Sequence, residues 1–155
     1  MQNDYSFSGK RYWAVFLKMK TPLDALQTIK NATFFLVVLA GAYIENFFRG
    51  QQLVSAGHHF PRGTFILVAL HIVSFGIGGL LLLRTKSRVV AVLIFFVCFA
   101  TVADVVQLAI SSGNMRALFT LTKGFQLLTL WCSARAVEAT FKLRGRFSDA
   151  AMQTK

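Results

Sequence analysis

Acidic residues are scarce in this 155-residue chain: six Asp and Glu stand against seventeen Lys and Arg, a net charge of +11. Charge of either sign is thin as well, at 15% of residues, where soluble domains approach a quarter. Such a low charge content argues against a water-soluble domain. There are two cysteines, Cys98 and Cys132, in separate apolar stretches and in no CxxC pair. They read as small buried filler rather than a redox pair or structural disulfide, and they give no indication of compartment. Internal repeats and low-complexity segments are absent. So are a phosphate-binding loop, a nucleophile–base arrangement and metal-ligand spacing.

What is present is apolar and clustered. Hydrophobic residues make up 55% of the chain, and phenylalanine alone occurs sixteen times. They gather into blocks rather than at helix-face or strand spacing, the pattern of a chain that crosses a membrane. Four spans are expected, at about residues 32–48, 64–83, 89–110 and 117–136. Each approaches the roughly 20 residues needed to cross about 30 Å of hydrocarbon. The fourth is interrupted by Lys123 and Gln126. The short connections RTKSR (84–88) and SSGN (111–114) make spans two and three, and spans three and four, antiparallel neighbours. A longer loop, 49–63, joins the first two spans. The expected fold is therefore all-α: an integral membrane four-helix bundle forming one transmembrane domain over 1–155.

Ahead of the first span, Thr21, Pro22 and Asp24 form a helix start with a capping box, and this helix is expected to run on into span one. Lys10, Arg11, Lys18 and Lys20 alternate with Tyr12, Trp13, Phe16 and Leu17. That alternation suits an interfacial segment, 8–30, lying among lipid headgroups. At the other end a basic tail is expected over 139–155. No removed signal peptide is expected. The NAT sequon at Asn31 is discounted, because it falls on the cytoplasmic side against the membrane.

Orientation follows from the basic residues. With four spans, the side that holds both termini and the RTKSR turn carries twelve Lys and Arg, against Arg49, Arg62 and Arg116 opposite. The positive-inside rule then puts both termini in the cytoplasm or its equivalent. On that side Lys10, Arg11, Lys18, Lys20, Arg84, Lys86, Arg88, Arg144 and Arg146 are placed at anionic headgroups. Basic residues at the ends of apolar blocks are topology determinants, and nucleic acid is excluded as a partner. The expected partners are membrane lipids together with other membrane subunits or further copies of the chain.

Polar side chains inside the spans are the candidate functional residues. Asp104 and Lys123 both fall roughly 12–16 Å below the SSGN turn on neighbouring helices, so an Asp104–Lys123 ion pair is expected. Gln107 and Gln126 lie one turn from each, extending a polar seam between spans three and four. Glu45 and His71 belong to the same half of the membrane and complete an intramembrane cluster of Glu45, His71, Asp104, Gln107, Lys123 and Gln126. Charges at the bilayer centre cost about 2.5–3.5 kcal/mol each on insertion scales, which makes them pair or serve a function. Either register fixation or a proton or ion site accounts for the cluster. Ser74, Gly76, Gly78 and Gly79, with Gly41, Ala40 and Ala42 as a matching surface, are assigned to close helix packing. Arg135 and Glu138 read as an interfacial pair at the end of span four.

His58 and His59 are adjacent in the loop and lack a nearby acidic or thiol partner, so no metal is assigned. One intramembrane histidine does not provide two axial haem ligands, and no cofactor is assigned. Three functions are carried forward: a non-enzymatic accessory or scaffolding subunit of a membrane complex; a small transporter or channel component using the intramembrane cluster; and a membrane enzyme acting on a lipid or quinone, with His71 or Glu45 as base.

Overall fold

Thr21 begins the first helix as the sequence leads one to expect. Its hydroxyl accepts from the Asp24 N–H at 3.1 Å, and the Asp24 carboxylate accepts in return from the N–H groups of Lys20 and Thr21, each at 3.0 Å. Pro22 takes the first helical position, where its missing N–H is not needed. In the computed structural model, which describes residues 16, 18–57, 59, 62–111, 113 and 121–145, this cap opens α1, Pro22–Ser55. The helix is unbroken and about 50 Å long at 1.5 Å per residue. Three more follow among the described residues: α2 (Arg62–Thr85), α3 (Arg88–Ser111) and α4 (Leu121–Arg144). No strand occurs among them.

Three of these helices, α1, α2 from Gly63, and α3, are long and apolar enough to cross a membrane. The described part of α4 is not among them: Lys123, Arg135, Glu138, Lys142 and Arg144 interrupt its apolar residues. The expected start of span four, 117–120, lies outside the described residues. The connection between α2 and α3 is only two residues, Lys86 and Ser87, and Lys86 takes φ +49° to close the α2 end with its N–H on the Leu82 carbonyl at 2.9 Å. α1 packs against α2 and α4; α3 packs against α4 and more thinly against α2.

Several boundaries differ from those expected. α1 continues through Ser55 instead of ending at Phe48, because Gly50 alone, at a cost of about 1 kcal/mol, does not end a helix and no proline intervenes, and the loop begins only at Ala56 with Gly57 at φ +91°. Residues 22–30, the end of the expected interfacial segment, are helical. They form the opening turns of α1, with Ala25, Thr28 and Ile29 buried. The tail expected from 139 is helical to Arg144, with Ala139 and Thr140 fully buried. Lys10, Arg11, Arg146 and the rest of both termini lie outside the described residues.

The interior is mainly apolar and partly polar, with Phe75, Ile29, Leu36 and Leu82 fully buried among small and hydroxyl-bearing residues. Ala25, Ala32, Ala91, Ala136 and Ala139 are buried with Thr28, Thr129, Ser133 and Thr140. The hydroxyls of Thr28, Thr129 and Thr140 each donate at 2.8 Å to a carbonyl about one turn back, at Asp24, Phe125 and Val137. This satisfies them without water. The outside is large and apolar: Phe34 and Phe48 on α1, Ile66 and Leu80 on α2, Leu93 and Phe96 on α3, and Leu127 and Trp131 on α4 are all exposed. Water drives large apolar side chains inward; a hydrocarbon surrounding imposes no such force.

Close approach between α1 and α2 depends on the glycines. A Cβ at Gly79 would lie 3.3 Å from the Leu36 Cβ, and one at Gly76 3.8 Å from the Ala40 Cβ. The Thr33 hydroxyl donates to the Gly79 carbonyl at 3.3 Å across this contact. Gly78 faces Ile94 of α3 instead. Ser74 is half-buried. Of the expected matching surface, Ala40 meets α2, joined by Leu36, whereas Gly41 is exposed with open space around it.

Candidate functional site

Each helix contributes one side chain to a connected polar chain. On α2, the His71 ring lies against the Tyr43 ring of α1, centroids 4.9 Å apart and planes within 14°. Phe75, one turn along α2, tilts against both rings at 5.6 and 5.7 Å. His71 Nδ1 is 2.7 Å from the Leu67 carbonyl, and Nε2 is 3.0 Å from the Thr101 hydroxyl of α3. That hydroxyl is also 2.8 Å from the Val97 carbonyl. From α4, the Gln126 amide donates to the Tyr43 hydroxyl at 3.2 Å. Gln126 and Thr101 are only 7% and 6% exposed, and Gln126 Oε1 is buried without a hydrogen-bond partner. The chain thus runs Gln126, Tyr43, His71, Thr101, and all four helices meet along it.

This arrangement divides the cluster expected from the sequence. His71 and Gln126 are brought together, through Tyr43. Glu45, Asp104 and Gln107 are exposed, and Lys123 is half-buried. The Asp104–Lys123 ion pair is not formed. Among the described residues the ion pairs are Glu45–Arg49 at 3.9 Å, Arg135–Glu138, and Lys142–Glu138 at 2.5 Å. Matching depth is not enough for a pair, since each helix must also turn its residue toward the other. Glu45 and Arg49 are both more than 70% exposed, so their contact contributes little.

Tyr43, Phe75 and Thr101 were not singled out in the sequence. Threonine and aromatic residues are ordinary in apolar spans. The available signal was that Tyr43 is two residues from Glu45 and Thr101 three before Asp104.

At the expected cytoplasmic end, Glu138 accepts from both Arg135 and Lys142. Partial burial pushes its carboxyl upward, but the Lys142 hydrogen bond and the nearby Arg135 and Lys142 charges outweigh this, leaving it below the usual carboxylate range. Lys18, Lys20, Arg84, Lys86 and Arg144 are exposed, as headgroup contacts require. Arg88 is half-buried and turned onto α4, where Nη2 donates to the Phe141 carbonyl at 3.3 Å and the guanidinium lies 4.7 Å over the Phe141 ring. A helix C-terminus presents free carbonyls and negative partial charge, so it competes with headgroups for this cation.

A concavity of about 480 Å³ opens along α3, lined by Phe99, Val102, Ala103, Val106, Gln107, Ile110 and Ser111. Neither His71 nor Glu45 lines it. Cys98 and Cys132 are buried free thiols. Among the described residues no three His, Cys, Asp or Glu side chains converge as a metal site. Compared with models of known protein families, with curated proteins and with solved structures, the chain matches none.

Proposed function

We propose that the chain is a four-pass integral membrane protein whose helices form a bundle with both termini on the cytoplasmic side, and that it acts as a non-enzymatic accessory or scaffolding subunit of a membrane complex. The observation that carries this reading is the outer surface: large apolar side chains stand exposed on every helix, from Phe34 and Phe48 on α1 to Leu127 and Trp131 on α4, beyond those such as Phe75 and Leu36 that fill the interior. In water so much exposed apolar surface would aggregate, whereas in lipid it is the natural exterior. Close α1–α2 packing through Gly76 and Gly79 supports a rigid module. The α3 concavity, apolar apart from Gln107 and Ser111, has the character of a seat for a side chain of a neighbouring helix. The twelve basic residues on one side support the orientation.

Native mass spectrometry after mild extraction from the native membrane tests the role. Departure within a larger assembly is the expected result, and the partners then identify the complex. Emergence as a bare monomer overturns the subunit reading. Topology is checked with a membrane-impermeant maleimide on intact cells, using Gly57→Cys and Lys86→Cys. Gly57→Cys is expected to label and Lys86→Cys to be protected, and the opposite pattern reverses the orientation.

A second reading, a proton- or ion-moving component, draws on the polar chain through His71. For that reading, His71→Gln is expected to abolish transport in reconstituted vesicles while insertion is unchanged.

A further inference from the structure

The contacts around His71 contain one more hydrogen-bonding position than a neutral imidazole can fill. A carbonyl only accepts, so at 2.7 Å from the Leu67 oxygen Nδ1 carries a hydrogen and donates it. In the neutral ring Nε2 is then an acceptor, and the Thr101 hydroxyl must donate to it across 3.0 Å. The same hydroxyl lies 2.8 Å from the Val97 carbonyl, which also requires its hydrogen. Three contacts need three hydrogens, and the neutral pair has two. A third proton on Nε2 satisfies all three: Nε2–H donates to Thr101 Oγ1, and the Thr101 O–H turns to the Val97 carbonyl.

From this count we infer that His71 and Thr101 form a proton-binding site between α2 and α3, with Asp104 as its counter-charge. The step transfers one proton from hydronium to Nε2, leaving water, forms the Nε2–H bond, turns one hydroxyl hydrogen, and breaks no bond within the protein. A cation between membrane helices is costly unless an opposite charge is near. Asp104 lies three residues beyond Thr101 on α3, exposed where Thr101 is buried, and outside any ion pair among the described residues, so it is the nearest carboxylate along that helix. The ionisable groups nearest along the surrounding helices are Tyr43 of α1, stacked on the ring, with the exposed Glu45 two residues on; Cys98, one turn before Thr101 on α3; and Lys123, one turn before Gln126, with the buried Cys132 further along α4. On α2 itself, no residue within a turn of His71 is ionisable apart from His71. The ring is half-buried, and α2 packs more thinly on α3 than any other neighbouring pair. The site stands whether the chain scaffolds a complex or moves ions.

Nitrogen NMR of the full chain in phosphatidylcholine nanodiscs, with ¹⁵N-labelled histidine, tests it over about pH 4 to 9. His71→Gln identifies the signals by their loss. The expected result is a neutral ring protonated at Nδ1 that gains a proton at Nε2 as the pH falls. Thr101→Val is expected to lower the midpoint by about one pH unit, a tenfold loss of proton affinity. Thr101→Ser is expected to restore it, which a merely structural role would not require. Asp104→Asn is expected to lower it as well. A neutral Nε2–H tautomer, a ring still neutral at the acid end, or a midpoint unmoved by Thr101→Val overturns the site. Failure of Thr101→Ser to restore the midpoint also overturns it. An unmoved midpoint in Asp104→Asn removes the counter-charge. If Thr101→Val loses its helical circular dichroism, the serine and asparagine variants still decide.

Discussion

At the scale of single residues, a side chain here is explained by the hydrogen-bond donors and acceptors within its reach. Thr21 is the simplest case: its hydroxyl fills one of the open N–H positions of α1. Thr21→Ala is expected to destabilise the protein by about 1 kcal/mol, read as a lowered midpoint in denaturant titration of the micelle-bound chain. Glu138 gives a pH prediction. Its depressed carboxyl pKa means that the stabilisation from Arg135 and Lys142 is complete above the ordinary carboxylate range and fades as the pH falls through the lower folded-state value. Its side chain is 38% exposed, so the contribution is a screened one. Glu138→Gln is expected to cost about 0.5 kcal/mol at neutral pH. Thermal melts of the two forms should converge in acid, and a gap that persists there would falsify the assignment. Lys86 carries backbone strain at φ +49°. Lys86→Val is expected to lose about 1–2 kcal/mol on that ground, whereas Lys86→Gly is tolerated.

Among elements, the α1–α2 contact is the most sharply specified. Gly79→Val places carbon where the Leu36 and Thr33 side chains already lie, and is expected to cost about 1–3 kcal/mol. Gly41→Ala adds a methyl to open space on a helix and is expected to be neutral or stabilising by up to about 1 kcal/mol. Equal effects from the two, measured in the same detergent titration, would show that α1 and α2 do not meet as described. The contrast also marks what could be read from sequence. A small-residue stripe on span two was evident, but Gly41, Ala40 and Ala42 were equivalent as its partner until the rotation of α1 was known. Likewise, the capping box predicted where α1 starts, while its extension to Ser55 and the helical course of 139–144 lie past the apolar blocks, which mark the extent of a span and not of a helix.

For the molecule as a whole, the outer surface is apolar as well as the interior, unlike that of a soluble domain. Phe34, Leu93 and Leu127 face outward, while Thr28, Thr129 and Ser133 are buried. The polar chain from Gln126 to Thr101 spans this interior and touches every helix. It gives α4, whose described part falls short of a membrane span in apolar length, a hydrogen-bonded attachment to α1. Gln126→Leu removes the donor to Tyr43 together with the unpartnered Oε1. The two effects oppose, so a change in stability of less than about 1 kcal/mol is expected. Gln126→Ala, which also leaves a cavity, is expected to be distinctly worse in the same titration.

The amino-acid sequence by itself determined which segments are helical and apolar, where α1 begins, where the chain turns between α2 and α3, and which spans carry ionisable groups. Those properties depend on local composition and on residues within a turn of one another. Only the tertiary structure decided which polar residues meet. Counting along a helix gives depth, and Asp104 and Lys123 match in depth without pairing. Pairing depends on the rotation of each helix about its axis. Each rotation is set jointly by the contacts of glycines, alanines and hydroxyls with their neighbours, and so brought His71 to Thr101 and Tyr43.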